Sequence, residues 1–350
     1  MRANRVALVG CGHIADQHLG VLCSLPAVCV MGVCDLDTER AEELARRHGN
    51  IPVYVDLNDL LREQRPDVVH VLTPPQSHRD LTLQILESGA HVLVEKPMAV
   101  SKSEACEMAE AAHARKLRIG VCHNYLCVPA YQQGRSLIAR GALGRLISAE
   151  VYWRISSFDP GGREQVGRWA HELPGGIFHE VAPHPMYLLR DLLGSLQVLA
   201  AARSGSDSTP DELRVLLGWS GGLGGMTLSL NASPTEKLIR VYGTAMSLQI
   251  DLGTNMLITL RLWGTGIPAR AMLNVDVSLQ RLWRTATNTV RTVLGRMPRS
   301  HEVFLTQSYG REGSAFRPVA TSEDGIEVVD LLDRVWEAQV TGTGQGWMGE

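Results

Sequence analysis

The chain has 350 residues, with 34 Lys+Arg against 37 Asp+Glu and a net charge of -3. That length suits two domains with a full core, and the balance of charge leaves no global field for a polyanion, which argues against a nucleic-acid partner. No apolar run approaches the roughly 18 residues that a membrane span needs, and the short stretch from Val6 to Gly10, soon interrupted by His13 and Asp16, is not a signal peptide; a cytoplasmic location is expected.

The first 122 residues alternate β-rich runs with helical stretches, the pattern of a parallel sheet with helices on both faces. The predicted strands are Arg5 to Val9, Val28 to Cys34, Val53 to Val55, Val68 to Leu72, His91 to Val94 and Arg118 to Cys122. A helix ending at Ser88 is closed by Gly89, and another from Lys102 to Lys116 opens on Ser101 with Glu104 three residues on, a capping box. These elements predict a doubly wound dinucleotide-binding domain over residues 1–122.

Residues 123–350 have a different texture. A helix opened by Pro129 and closed by Gly141 leads into the alternating strand Arg145 to Trp153. Leu213 to Gly218 and Met226 to Asn231 read as a hairpin, and a last helix over Gly325 to Ala338 follows a polar cap at Ser322 and Glu323. The expectation is an α+β domain with a large, mostly antiparallel open sheet. Between Asp276 and Glu302 stand Arg281, Arg284, Arg291, Arg296 and Arg299 with no acid, which reads as a solvated helix face in preference to a membrane- or acid-binding one.

Three local motifs carry chemistry. In Gly10-Cys11-Gly12-His13-Ile14-Ala15, between the first strand and first helix, Gly10 permits the tight turn. Gly12 lets backbone approach a pyrophosphate, and Ala15 lets helix and strand pack closely. Asp35, at the end of the second strand, is placed to grip ribose hydroxyls. At about 4 Å and an effective dielectric near 20, its charge would repel a 2'-phosphate by on the order of 4 kcal/mol per unit charge, so NAD is preferred over NADP. Glu95-Lys96-Pro97 follows the fifth strand, where a lysine can reach a group bound beside a nicotinamide. The third motif runs from Gly175-Gly176 through His179, Glu180 and His184 to Tyr187. Pro183 and Pro185 predict a kink or a helix starting near Pro185.

Several alternatives fall away. His179 and His184 are five apart, so they do not make an H-E-x-x-H zinc helix. The seven cysteines, all within the first 127 residues and without a C-x-x-C pair, read as reduced thiols, and no metal site is expected. None of the four lysines completes a P-loop. Gly218-Trp219-Ser220-Gly221-Gly222 matches G-x-S-x-G but lies between two predicted strands, so it reads as a hairpin turn.

The glycine turn, Glu95-Lys96-Pro97, the Gly-Gly segment with His184, and Thr73-Pro74-Pro75-Gln76-Ser77-His78 together resemble the Gfo/Idh/MocA family of oxidoreductases along nearly the whole chain. The resemblance implies a Rossmann domain, an α+β domain whose open sheet often forms an oligomer interface, a homodimer or homotetramer, and NAD(P)-dependent chemistry on a sugar, polyol or sugar derivative. It implies catalytic roles for Lys96 and His184, with Glu180 holding the histidine, and cofactor contacts at Gly10, Gly12, His13, Ile14, Ala15, Asp35, Thr73, Pro74, His78, Glu95 and Lys96. Tyr125, Arg168, Trp169 and Tyr187 are expected to line the substrate pocket, with Trp153 and Arg154 as further candidates. Glu180 and Tyr187 stand where many members carry Asp, which implies a less usual substrate. Two rivals share these motifs: an enzyme that retains NAD and cleaves a glycosidic bond by oxidation and elimination, and a dinucleotide sensor without catalysis.

Overall fold

The structure, a computed structural model, describes residues 3–156, 167–205, 210–310 and 315–341. The chain divides into two compact units: the stretch up to Asn124 together with Arg299–Asp330, and Tyr125–Pro298 together with the chain from Leu331.

In the first unit β1 (Asn4–Val9), α1 (His13–Leu22), β2 (Val28–Cys34), α2 (Thr38–Arg47), β3 (Val53–Tyr54) and α3 (Leu57–Gln64) are followed by β4 (Val68–Val71), α4 (His78–Glu87), β5 (His91–Val94), α5 (Lys102–Ala114) and β6 (Ile119–Val121). The six strands form one parallel sheet in the order β3-β2-β1-β4-β5-β6. Such a sheet is covered on both faces, which is why Val6, Ala7, Leu8, Val68, Val69 and Val71 are all fully buried and the strands read as unbroken apolar runs. The order reverses between β1 and β4, so the crevice for a ligand opens at their carboxyl ends, beside the Gly10 turn. The expected cap forms with a one-residue shift: Ser101 Oγ accepts the Glu104 N–H at 3.3 Å, and the Glu104 carboxylate reaches back to the Val100 N–H at 3.1 Å.

The second unit holds α6 (Pro129–Ala139), β7 (Leu146–Arg154), the short α7 (Ile177–Val181), α8 (Pro183–Leu193), β8 (Gln197–Gly205), β9 (Pro210–Trp219) and β10 (Gly222–Ser229). After them come β11 (Glu236–Gly243), β12 (Ser247–Asp251), β13 (Met256–Leu260) and α9 (Gly266–Val293). Its seven strands run in the order β13-β12-β11-β7-β10-β9-β8, antiparallel throughout except for the β7–β10 pair. The predicted hairpin is β9–β10, and Ser220-Gly221 is its turn. Pro183 opens α8, so the expected break falls at Ala182 and the helix starts two residues earlier than Pro185.

Two outcomes differ from the sequence expectations. First, α10 (Ser300–Tyr309) and the start of α11 (Ser322–Thr341) return to the first unit. Here α10 packs against α1, Gly120 bridges to Thr321, and Phe316 and Tyr309 are buried. The boundary after residue 122 lies two residues from the end of the unit's first stretch, but nothing local in 299–330 announces its return. Second, the arginine-rich segment is not a plainly solvated face. Met272, Leu279, Leu282 and Trp283 of α9 are 58% to 70% exposed. Counting charge alone missed an apolar stripe on the same helix.

Candidate functional site

The first unit brings the glycine turn and Asp35 together. Gly10 has φ +92°, and a Cβ there would lie 2.7 Å from the Leu72 carbonyl carbon, so both backbone and space require glycine. A Cβ on Gly12 would meet nothing within 4 Å, which leaves its backbone open to a ligand, while Ala15 is fully buried against the strand. Asp35 accepts the Cys11 N–H at 2.7 Å on one carboxylate oxygen and the Asp37 N–H at 2.9 Å on the other. The aspartate that would hold the ribose is thus tied to the loop that would hold the pyrophosphate, and each oxygen keeps acceptor capacity for a hydroxyl. Arg40 pairs with Asp37 at 3.2 Å. Leu36, next to Asp35, is 93% exposed, an apolar side chain that the sequence reading did not single out. Burial and the Asp35 charge push the Cys11 thiol up to about 12, so it stays protonated.

The expected cofactor contacts differ in placement. His13 is exposed beside Gln17 at 3.1 Å, and Ile14 is half-buried. His78 is fully buried, its ring nitrogens 2.8 Å from the Thr73 carbonyl and 3.0 Å from the Pro97 carbonyl. It therefore fastens the Thr73-Pro74 loop to the Lys96-Pro97 loop instead of facing a ligand. Burial holds its pKa below the ordinary histidine value despite both carbonyls.

Glu95, 8% exposed, anchors a chain of hydrogen bonds absent from the sequence reading. Its Oε2 accepts the Lys96 N–H at 3.2 Å, and its Oε1 lies 3.2 Å from His18 Nε2. His18 Nδ1 is 2.9 Å from His70 Nδ1, and His70 Nε2 is 2.6 Å from the Tyr309 hydroxyl. A carboxylate only accepts, so one consistent assignment has Tyr309 donating to His70, His70 to His18 and His18 to Glu95. Burial opposes charge on Glu95, but the hydrogen bond from His18 and the nearby Lys96 ammonium hold its carboxyl well below the usual range. Burial also keeps His70 well below the ordinary histidine value and Tyr309 well above the phenol value. Donor atoms of His18, Glu95, Cys122 and His301 lie within 4.8 Å of one another. A cation there would have to replace the His18–Glu95 hydrogen bond, which the assignment above already satisfies. The signal for this chain was in the sequence: a histidine amid the valines of β4 has to be buried, and a buried polar ring needs partners.

In the second unit His184, in the first turn of α8, sits among aromatic rings. It stacks on Trp153 at 5.2 Å between centroids and meets Tyr125 and Tyr187 edge-on at 4.9 and 5.7 Å. Its Nδ1 lies 3.0 Å from the Tyr187 hydroxyl, whose oxygen also accepts the Tyr125 N–H at 3.2 Å. A Tyr187 proton directed at Nδ1 puts the ring's own proton on Nε2. Tyr187, expected to line the substrate pocket, is only 2% exposed, with its hydroxyl beside His184 Nδ1. Lys237, one of the chain's four lysines, donates to the Tyr125 hydroxyl at 2.5 Å with its ammonium 4.9 Å from that ring and 5.1 Å from Trp153. No motif marked Lys237; only its rarity did. Glu180 is half-buried on α7, Arg168 is exposed, Trp169 is half-buried, and Arg154 pairs with Glu236 at 3.2 Å. The Gly-Gly pair has a packing reason: a Cβ on Gly175 would lie 2.3 Å from the Trp336 ring, and Gly176 has φ +57°.

The comparisons with known proteins bear on the fold and the family. Residues 4–123 match the oxidoreductase family model with an NAD-binding Rossmann fold, and 131–249 match the GFO/IDH/MocA C-terminal domain. Among curated relatives, D-glucoside 3-dehydrogenase of Escherichia coli is 34% identical over 143 residues, 41% of each chain. The trans-1,2-dihydrobenzene-1,2-diol dehydrogenase of Oryctolagus cuniculus is 30% identical over 247 residues, 68% of this chain and 72% of that one. The first relatives matched are covered over 41% to 60% of their own length. Among solved structures, the WlbA dehydrogenase from Bordetella pertussis in complex with NADH and UDP-GlcNAcA has the same fold, with a TM-score of 0.77, 21% identity and coverage of 97% and 96%. With both family models matched in order, the chain belongs to the Gfo/Idh/MocA family of oxidoreductases.

Proposed function

We propose that the protein is an NAD-dependent dehydrogenase or reductase interconverting a secondary alcohol and a ketone on a sugar, polyol or sugar derivative. The observation that carries this reading is the coupled Gly10–Gly12 turn and Asp35: a bare backbone open to phosphate, hydrogen-bonded to a carboxylate with acceptor capacity left for two hydroxyls. The substrate class rests on relatives named for D-glucoside, levoglucosan and 1,5-anhydro-D-fructose. Asp35 disfavours a 2'-phosphate, and Arg40 is engaged by Asp37, so NAD is preferred over NADP. Free cysteines suit a reducing cytosol, and no helix among the described residues is long and apolar enough to cross a membrane. A homodimer or homotetramer is expected.

Bound NAD supplies the acceptor or donor of hydride. In the oxidation direction either Lys96 or His184 removes the hydroxyl proton while the other polarises the oxygen, with Glu95 fixing the backbone at Lys96 and Tyr187 fixing the imidazole. The test is a screen of sugars, inositols and nucleotide sugars followed by absorbance of reduced nicotinamide, in the parent and in Lys96→Met. The expected result is NAD reduction by at least one substrate, lost by roughly 10²-fold or more in the variant, with NAD binding unchanged. Unaltered turnover in the variant overturns the role of Lys96. Tightly co-purifying NAD without net redox turnover selects the glycoside-cleaving rival, and NAD binding with no chemistry on any substrate selects the sensor.

A further inference from the structure

We propose that α9 is a self-pairing helix: its outer stripe docks on the same stripe of a second copy of this chain, antiparallel about a two-fold axis. The helix is fixed to its own unit by polar side chains. Gln280 accepts the Thr259 N–H at 2.9 Å and donates to the Thr259 carbonyl at 3.0 Å, and Asn288 donates to the carbonyls of Thr254 and Asn255 at 2.9 and 3.0 Å. On an adjacent face Met272, Val275, Leu279, Leu282, Ala286, Val290 and Val293 recur at steps of three and four residues, the spacing of a helix-pairing seam. The large members of this stripe, with Trp283, are 57% to 80% exposed. Water-facing apolar stripes of this length mark interaction surfaces.

Two observations select a second copy as the occupant. The stripe is self-complementary: with the axis between Leu282 and Trp283, Met272 faces Val293, Val275 faces Val290, and the large Leu279 faces the small Ala286 of the other copy. Side chains of this size and exposure leave on the order of 100 Å² each in water, so the eight members offer roughly 800 Å² per copy, what one partner contributes to a stable interface.

The seam deepens the expected homo-oligomer and does not depend on the chemistry proposed for the two histidine clusters. The test is the solution mass of the full chain by light scattering, beside Leu279→Glu/Leu282→Glu and Val275→Cys/Val290→Cys. The glutamate pair should halve the mass while the chain stays folded by circular dichroism, because both sites face water within one copy. The cysteine pair should form a covalent dimer under mild oxidation, above the background set by the exposed Cys23 and Cys29, whereas neither single cysteine does. A glutamate pair that keeps a multi-chain mass overturns the seam while leaving oligomerisation through another surface intact. A parent that is one chain throughout overturns both. Co-sedimentation of the parent with phosphatidylserine vesicles, abolished by the glutamate pair, overturns the seam in favour of a membrane. Should the glutamate pair fail to fold, the cysteine pair decides.

Discussion

His18 and His184 are held in opposite ways. His18 has a hydrogen bond on each ring nitrogen, toward Glu95 and His70, and is fully buried in the middle of a chain running from Tyr309. His184 meets the faces and edges of aromatic rings, has the Tyr187 hydroxyl beside Nδ1, and is half-buried. A directional hydrogen-bond chain fixes where protons reside; an aromatic cage fixes where a ring points. The first arrangement suits a scaffold under the Lys96 loop, the second a ring held in one orientation.

That contrast can be broken first at His184. His184→Ala should lower kcat/KM by roughly 10² to 10⁴-fold while NAD affinity stays within a few-fold; steady-state kinetics with a substrate from the screen, beside NAD titration, checks it. If His184 proves dispensable, the cage is only packing. Gly10→Ala tests the scaffold more bluntly. Its Cβ would meet the Leu72–Thr73 backbone at 2.7 to 2.9 Å on a residue with positive φ, so a loss of about 1–3 kcal/mol or more of stability, together with weakened NAD binding, should appear in thermal unfolding with and without cofactor.

Next in size is His70→Gln, which strips His18 and Tyr309 of a shared partner and should cost about 1–3 kcal/mol. The pH dependence sharpens this. A histidine whose folded pKa lies below its unfolded value near 6.5 leaves the unfolded state binding the extra proton, so stability falls as pH drops below that value. Glu95, depressed below 4.5, adds a second loss as pH falls further into acid. Melting temperature against pH should therefore decline below about 6.5 and steepen below about 4.5, with a shallower upper limb in His70→Gln. Smallest is Lys237→Met. Removing the ammonium from Tyr125 and Trp153 should cost about 0.5–2 kcal/mol in melting measurements.

The two regions also differ in how far they were legible. The parallel sheet, the β9–β10 hairpin, the Gly10 turn and the cap at Ser101 follow from local rules of periodicity, turn chemistry and capping, and the residues that decide them are neighbours in sequence. Partners separated by long stretches of chain were not legible. His70 and Tyr309 are 239 residues apart, Lys237 and Tyr125 are 112 apart, and His179 takes the Trp336 indole N–H across 157. For Tyr187, the pattern pointed to a substrate contact but gave no sign of the burial or of the hydroxyl's place beside His184. The stripe of α9 was written in the sequence at steps of three and four, but the arginines drew attention from it.

The return of Arg299–Asp330 to the first unit has a consequence for how the protein is made. Its sheet can pair as soon as β6 emerges from the ribosome, but α10, the Tyr309 hydroxyl and the Phe316 ring that complete it arrive only after the whole of Tyr125–Pro298 has been synthesised. At about 5–20 residues per second the nascent sheet waits on the order of ten seconds or more with one flank uncovered. A fragment ending at Asn124 should therefore remain in that waiting state, native in strand order and loose in its side chains, and prone to capture by chaperones.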